Sequence, residues 1–165
     1  MYITRYTDYS LRTLMYLGLK GEEIATIREV AESYAISKNH LMKVVQDLAN
    51  KGYVTATRGK NGGLRLDRAP ALINIGELVR ATEQDFALVE CMSGGNRCII
   101  TPVCQLRRIF AEALETFFAT LDRYTLADLL HQSVRPELIS LLDINAPNDP
   151  GSEAVQLFNP PVPNT

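Results

Sequence analysis

Three cysteines, Cys91, Cys98 and Cys104, fall in the single run Glu-Cys-Met-Ser-Gly-Gly-Asn-Arg-Cys-Ile-Ile-Thr-Pro-Val-Cys, spaced C-x6-C-x5-C. Thiolates that converge on one point need an inorganic centre. Iron-sulfur clusters take such ligands, whereas structural zinc draws mostly on closer C-x2-4-C pairs. The glycines between the first two cysteines let the segment wrap around a ligand; reduced thiols or a redox disulfide are the plainer alternatives. A fourth ligand is missing from the run. The two histidines of the chain, His40 and His131, both lie far from it in sequence, so an oxygen ligand or an open position must complete a site. Glu90 is one available carboxylate, and Asp8, arriving from a partner subunit, is another. No histidine neighbours the thiols and no Gly-rich Lys-Ser/Thr phosphate loop is present, so an enzyme is not expected.

A second set of residues could bind polyanions. Between Lys38 and Arg68 stand Lys38, Lys43, Lys51, Arg58, Lys60, Arg65 and Arg68, opposed by Asp47 and Asp67 alone. Ser37, Lys38, Asn39, His40 and Lys43 can hydrogen-bond base edges and phosphates. His40 reads as a polar contact and not as a metal ligand. Arg58, Lys60, Asn61, Gly62 and Arg65 fit a basic β-hairpin whose glycines allow close approach to a groove while the cations neutralise phosphate. A solvated basic face is the plainer alternative.

The elements that must position these groups follow from periodicity and punctuation. Leu11, Leu14, Met15 and Leu19 mark the buried face of a first helix, with Thr7 or Asp8 placed to cap it and Gly21 to end it. Ile27 to Tyr34 predicts a short second helix. Ser37 is placed to cap a third, with Leu41, Val44, Val45 and Leu48 inward and Gly52 closing it. The period then changes: Tyr53–Thr57 and Leu64–Leu66 read as strands, with Asn61-Gly62 as the hairpin signal. Two short helices and a basic hairpin make a winged helix-turn-helix. Ile73 to Ala81 predicts a further helix, the cysteine segment a loop, and Pro102 the first turn of a long helix carrying Val103, Leu106, Ile109, Phe110, Leu114, Phe117, Phe118 and Leu121. Cys104 is expected in that first turn. So wide an apolar stripe must pack on its own domain and on something more, most simply a second copy of itself.

At 165 residues the chain suits one domain with an attachment, and 46% hydrophobic with 22% charged residues excludes global disorder. The net charge of −2 hides a division. Residues 1–68 carry 11 Lys and Arg against 7 Asp and Glu, net +4, and residues 69–165 carry 6 against 12, net −6. The expected organisation is therefore a winged helix-turn-helix domain over 1–68, a cysteine loop and dimerisation helix over 69–143, and a Pro-rich, flexible tail over 144–165. An odd cysteine count without a secretory signal points to a reducing cytoplasm. No segment approaches the roughly 20 apolar residues of a membrane span.

Tyr6-Thr7-Asp8-Tyr9-Ser10-Leu11-Arg12, the wing Arg58-Gly59-Lys60-Asn61-Gly62-Gly63, the three cysteines and Asp122-Arg123-Tyr124-Thr125-Leu126-Ala127-Asp128-Leu129 together resemble the NsrR-type nitric-oxide-sensing repressors of the Rrf-two group of winged-helix regulators. The resemblance spans about residues 1 to 143. It implies a cytoplasmic homodimer that represses transcription at operator DNA and holds one [4Fe-4S] cluster per subunit through Cys91, Cys98, Cys104 and the partner's Asp8. It further implies that nitric oxide releases the DNA. The group's sensors of iron-sulfur status use a [2Fe-2S] cluster with a histidine three residues after the last cysteine, where this chain has Arg107. A regulator of that kind, or one reporting redox state, is the second reading. The first cysteine gap holds six residues where many relatives have five.

Overall fold

The computed structural model describes residues 3–57, 59 and 62–144. Of the flexible tail expected over 144–165, Ile144 is instead buried in the main core, because it packs with Leu142 against the helices before it; residues 145–165 lie outside the described residues, as do Arg58, Lys60 and Asn61 of the wing. The chain is mainly α-helical with one two-stranded antiparallel hairpin.

Helix α1, Arg5–Lys20, starts one turn earlier than its apolar spacing predicts. Thr4 is the N-cap, its Oγ1 accepting from the Thr7 amide, and neither Thr7 nor Asp8 caps the helix. The reason is tertiary. The Glu83 carboxylate accepts from the Thr4 amide at 2.6 Å and from its hydroxyl at 3.0 Å, fixing the chain in the extended entry that a cap requires. Thr7, Ser10 and Thr13 are fully buried on α1. Ser10 and Thr13 donate to the carbonyls of Tyr6 and Tyr9, so their burial costs no unmade hydrogen bond. At the other end Gly21, at φ 65°, stops the helix as expected.

Helix α2, Ile27–Ser33, opens with a reciprocal capping box between Thr26 and Glu29. Helix α3, Lys38–Asn50, follows after a turn in which Ala35 takes φ 51°. That left-handed residue costs about 1 kcal/mol, offset by Ile36, which is buried and donates its amide to the Ala31 carbonyl. Ser37 occupies the N-cap position of α3 but makes no capping bond. Leu41, Val44, Val45 and Leu48 are all buried, as their spacing predicts.

Strands β1, Val54–Thr57, and β2, Gly63–Leu66, pair with Thr57 opposite Gly63. The connection is therefore the five residues 58–62, one fewer than the expected strand bounds leave, because Gly63 joins β2. The Gly62 amide donates to the Gly59 carbonyl, and Gly59 sits at φ 114°, which a residue with a side chain rarely adopts. Mutual hydrogen bonds between Ala25 and Leu64 add the segment before α2 to the edge of the hairpin.

Helix α4, Ile75–Thr82, is capped by Asn74, which excludes Ile73 from the helix expected to begin there. The cysteine segment is irregular apart from single helical turns at Glu90–Met92 and Thr101–Val103. Pro102 lies in the second of these turns, and Cys104 is the N-cap of α5, Gln105–Leu121, one residue outside the turn expected for it. Two further helices, α6, Leu126–Leu129, and α7, Arg135–Leu141, complete the described chain. The main core joins Leu14, Leu17, Leu41 and Leu48 to Leu78, Leu126, Leu142 and Ile144, so it crosses residue 68. A smaller core of Ile75, Val79 and Phe118 holds α5 against α4, clamped by a two-pronged Arg80–Asp122 ion pair. Helix α1 lies at the centre, touching α3, β2, α4, α6 and α7.

Candidate nucleic-acid interface and cysteine loop

The first turn of α3 is presented outward. Ser37, Lys38, Asn39 and His40 are exposed in succession because the buried face of the helix only begins at Leu41. Lys43, one turn later, is exposed beside them, and Arg65 projects from β2. Between α3 and the hairpin lies an open hollow of about 840 Å³ bordered by Thr26, Arg28, Lys38, Met42, Gln46, Thr57, Gly59 and Gly62. The structure thus exposes Ser37, Lys38, Asn39, His40 and Lys43 on α3, with Lys38 and Gly62 bordering the hollow; Arg65 instead borders a separate hollow with Gly18, Gly21 and Glu22, and Arg58, Lys60 and Asn61 fall outside the described residues. Arg28, Met42 and Gln46 were missed by sequence reasoning. Helical arithmetic could have found two of them, since Met42 and Gln46 follow Lys38 by one and two turns.

This face is held from behind. The Lys20 ammonium meets the Glu29 carboxylate at 3.1 Å, fixing the end of α1 to α2. Burial pushes the Glu29 carboxyl up, but hydrogen bonds from Thr26 and Lys20 outweigh it and leave the group below its ordinary value. Burial and a hydrogen bond to Asp47 push the Tyr6 phenol up to about 12, so a neutral hydroxyl links the start of α1 to α3. Arg135 donates to the carbonyls of Gly18 and Leu19, capping α1 from the far end of the sequence.

In the cysteine loop all three thiols are free, Cys98 exposed and Cys91 and Cys104 half-buried. Its polar groups mostly satisfy one another: Asn96 bonds the Cys98 amide and the Thr101 hydroxyl, and Glu90 accepts from the Arg97 amide. Arg107 reaches back from α5 to the Cys91 carbonyl at 3.2 Å. Gly94 and Gly95 face open space. Asp8 is gripped by Arg12, Nε to Oδ1 and Nη2 to Oδ2 both at 2.9 Å, and the Arg12 guanidinium lies 5.7 Å over the Tyr34 ring. Among the described residues no three His, Cys, Asp or Glu side chains stand close enough together to hold a metal ion. The donor set suits a thiolate-bound cluster, while one chain alone neither gathers the thiols nor adds a carboxylate to them.

Beyond the loop, Ile99, Val103, Leu106 and Ile109 are exposed, and of the 17 residues of α5 only Phe118 is buried. Among the described residues no helix is long and apolar enough to cross a membrane.

Residues 3–132 match the family model Rrf2, described as an iron-dependent transcriptional regulator. The chain is 52% identical over 132 residues to the HTH-type transcriptional regulator NsrR of Bacillus licheniformis, covering 79% of this chain and 92% of that protein. It is 50% identical over 144 residues to the NsrR of Geobacillus kaustophilus, covering 86% and 97%. Among solved structures it is similar to CymR, the global cysteine regulator of B. subtilis, with TM-score 0.64 and 26% identity over 78% of this chain and 95% of that one. T. potens IscR shares the fold, with TM-score 0.64 at 22% identity over 79% and 86%.

Proposed function

The chain belongs to the Rrf2 family of DNA-binding transcriptional regulators, as an NsrR-type member, and from that premise we propose that it is a nitric-oxide-responsive repressor. In this reading it works as a homodimer holding one [4Fe-4S] cluster per subunit through Cys91, Cys98, Cys104 and the partner's Asp8. The observation that carries it is three free thiols on one loop that runs directly into the uncovered apolar end of α5. The family description as iron-dependent supports an iron centre there. The motif resemblance supplies nitric oxide as the signal and repression as the response. Bound there, the cluster supplies iron with which nitric oxide reacts.

The chain's own residues do the rest. Ile99, Val103, Leu106 and Ile109 pack against their equivalents in a second copy, which brings each loop beside the other protomer's α1. Asp8 turns from Arg12 toward the partner's loop. Because α1 packs on α3, holding Asp8 sets the position of the reading helix. Two reading helices must lie roughly 34 Å apart to enter successive major grooves. Release of Asp8 removes that constraint, and specific affinity falls by several kcal/mol, within the range that separates specific from non-specific binding.

The test is anaerobic purification followed by gel shift on a palindromic operator with a nitric oxide titration. Brown protein that releases DNA at a few equivalents of nitric oxide is expected. Release only by oxidant or chelator overturns nitric oxide as the signal in favour of a regulator of cluster supply or redox state. Colourless protein carrying zinc overturns the cluster. With Asp8→Ala, the cluster spectrum should survive but decay faster; an unchanged lifetime removes Asp8 from the ligand set.

A further inference from the structure

Met42 follows Lys38 by four residues and Asn39 by three and precedes Gln46 by four, so these side chains share the outward face of α3. It is 48% exposed, while the other large apolar residues of α3, Leu41, Val44, Val45 and Leu48, are buried. It borders two hollows, the one between α3 and the hairpin and a shallower one formed with Asn39, Lys43, Gln46, Asn50 and Asp47, whose carboxylate is paired with Lys51. A lone exposed methionine on an arbitrary surface needs no explanation. This one stands amid groups suited to reading hydrogen-bonding edges, and its thioether has no proton to donate and accepts only weakly. Gln46 turns its amide toward Asn50, donating to Oδ1 at 3.1 Å, and so leaves Met42 uncovered.

The major groove offers one apolar recognition element, the 5-methyl group of thymine. We propose that Met42 is a specificity-determining residue that packs on a thymine methyl in each operator half-site. The flexible, polarizable side chain reaches the methyl without displacing the polar contacts on either side. The inference rests on the reading of α3 as the DNA-contacting helix, and the experiment separates the two.

Full-length protein, purified anaerobically, selects duplexes from a randomised pool. Each thymine of the selected site is then replaced in turn by deoxyuridine, which removes the methyl and nothing else. Wild type should lose about fourfold in affinity at one base pair per half-site, the value of one buried methyl. Met42→Ala should bind the thymine and deoxyuridine duplexes equally at that pair, and Met42→Leu should retain the discrimination. If wild type is indifferent to every replacement, or Met42→Ala discriminates as well as wild type does, the assignment to Met42 is wrong while sequence-selective binding stands. If wild type selects no sequence, both readings fall. Because Met42 is exposed, melting of Met42→Ala should match wild type, so lost discrimination is not lost fold.

Discussion

Glu29 shows how much of the packing behind α3 and the hairpin depends on single groups. Its carboxylate closes the capping box of α2 through the Thr26 amide and pairs with Lys20, with both side chains of the pair no more than 15% exposed. The folded group titrates below its ordinary value of 4.5. Its contribution to stability is therefore complete above that value and fades as the pH falls through the lower, folded one. Glu29→Gln should cost on the order of 1–2 kcal/mol at pH 7, and the gap from wild type should shrink as the pH falls below 4.5. Thermal melts of the two proteins across that range check it, and a gap that stays constant would count against the ion pair. Residue types were legible in the sequence to different degrees. The cysteines and the basic residues announced themselves by kind, and Thr26-Ile27-Arg28-Glu29 has the spacing of a capping box, whereas the pairing of Glu29 with Lys20 and the role of Arg135 depend on partners that sequence spacing does not reveal.

At the scale of elements, the wing is anchored at its root. A Cβ on Gly63 would lie 2.6 Å from the Ala25 carbonyl oxygen and run into the Ile24 side chain. Backbone cannot yield as a flexible side chain can, so Gly63→Ala must open the Ala25–Leu64 bridge. We expect a loss of about 1–3 kcal/mol, typical of overpacking, visible as a lower denaturant midpoint and accompanied by weaker DNA binding. An unchanged midpoint would show that the bridge is not needed. Helices α1, α3 and α5 were readable from apolar spacing, and the hairpin from its change of period. The start of α1 was not, because Glu83, 79 residues away from Thr4, decides which residue caps it. Helix α7 gave no periodic signal, yet it packs on the main core through Leu138 and Ile139.

For the whole molecule the prediction about assembly rests on α5, whose first half presents Leu106 and Ile109, each 55% exposed, beside Val103 at 79%. Replacing Leu106 and Ile109 together by glutamate should leave the main core intact and convert a dimer to a monomer in sedimentation equilibrium. Specific DNA affinity should fall with it, since one reading helix cannot span two half-sites. A double variant that still sediments as a dimer would place the interface elsewhere. The division between a basic half and an acidic half is one of charge along the sequence. It does not survive as a division of packing, because Leu126, Leu130, Leu142 and Ile144 from the acidic half complete the core of the basic one.

By itself the sequence determined what depends on near neighbours: the inner faces of α1 and α3, the stop at Gly21, the hairpin, the loop that carries Cys91, Cys98 and Cys104, and the motifs that mark the family. These are written in spacings of a few residues, where helix geometry, capping and turn chemistry act. Only the tertiary structure decided which residue caps α1, that the wing turns through five residues, and that α7 and Arg135 close the far side of α1. Each of those depends on which distant surface covers which, and burial is settled by packing in space, not by order along the chain.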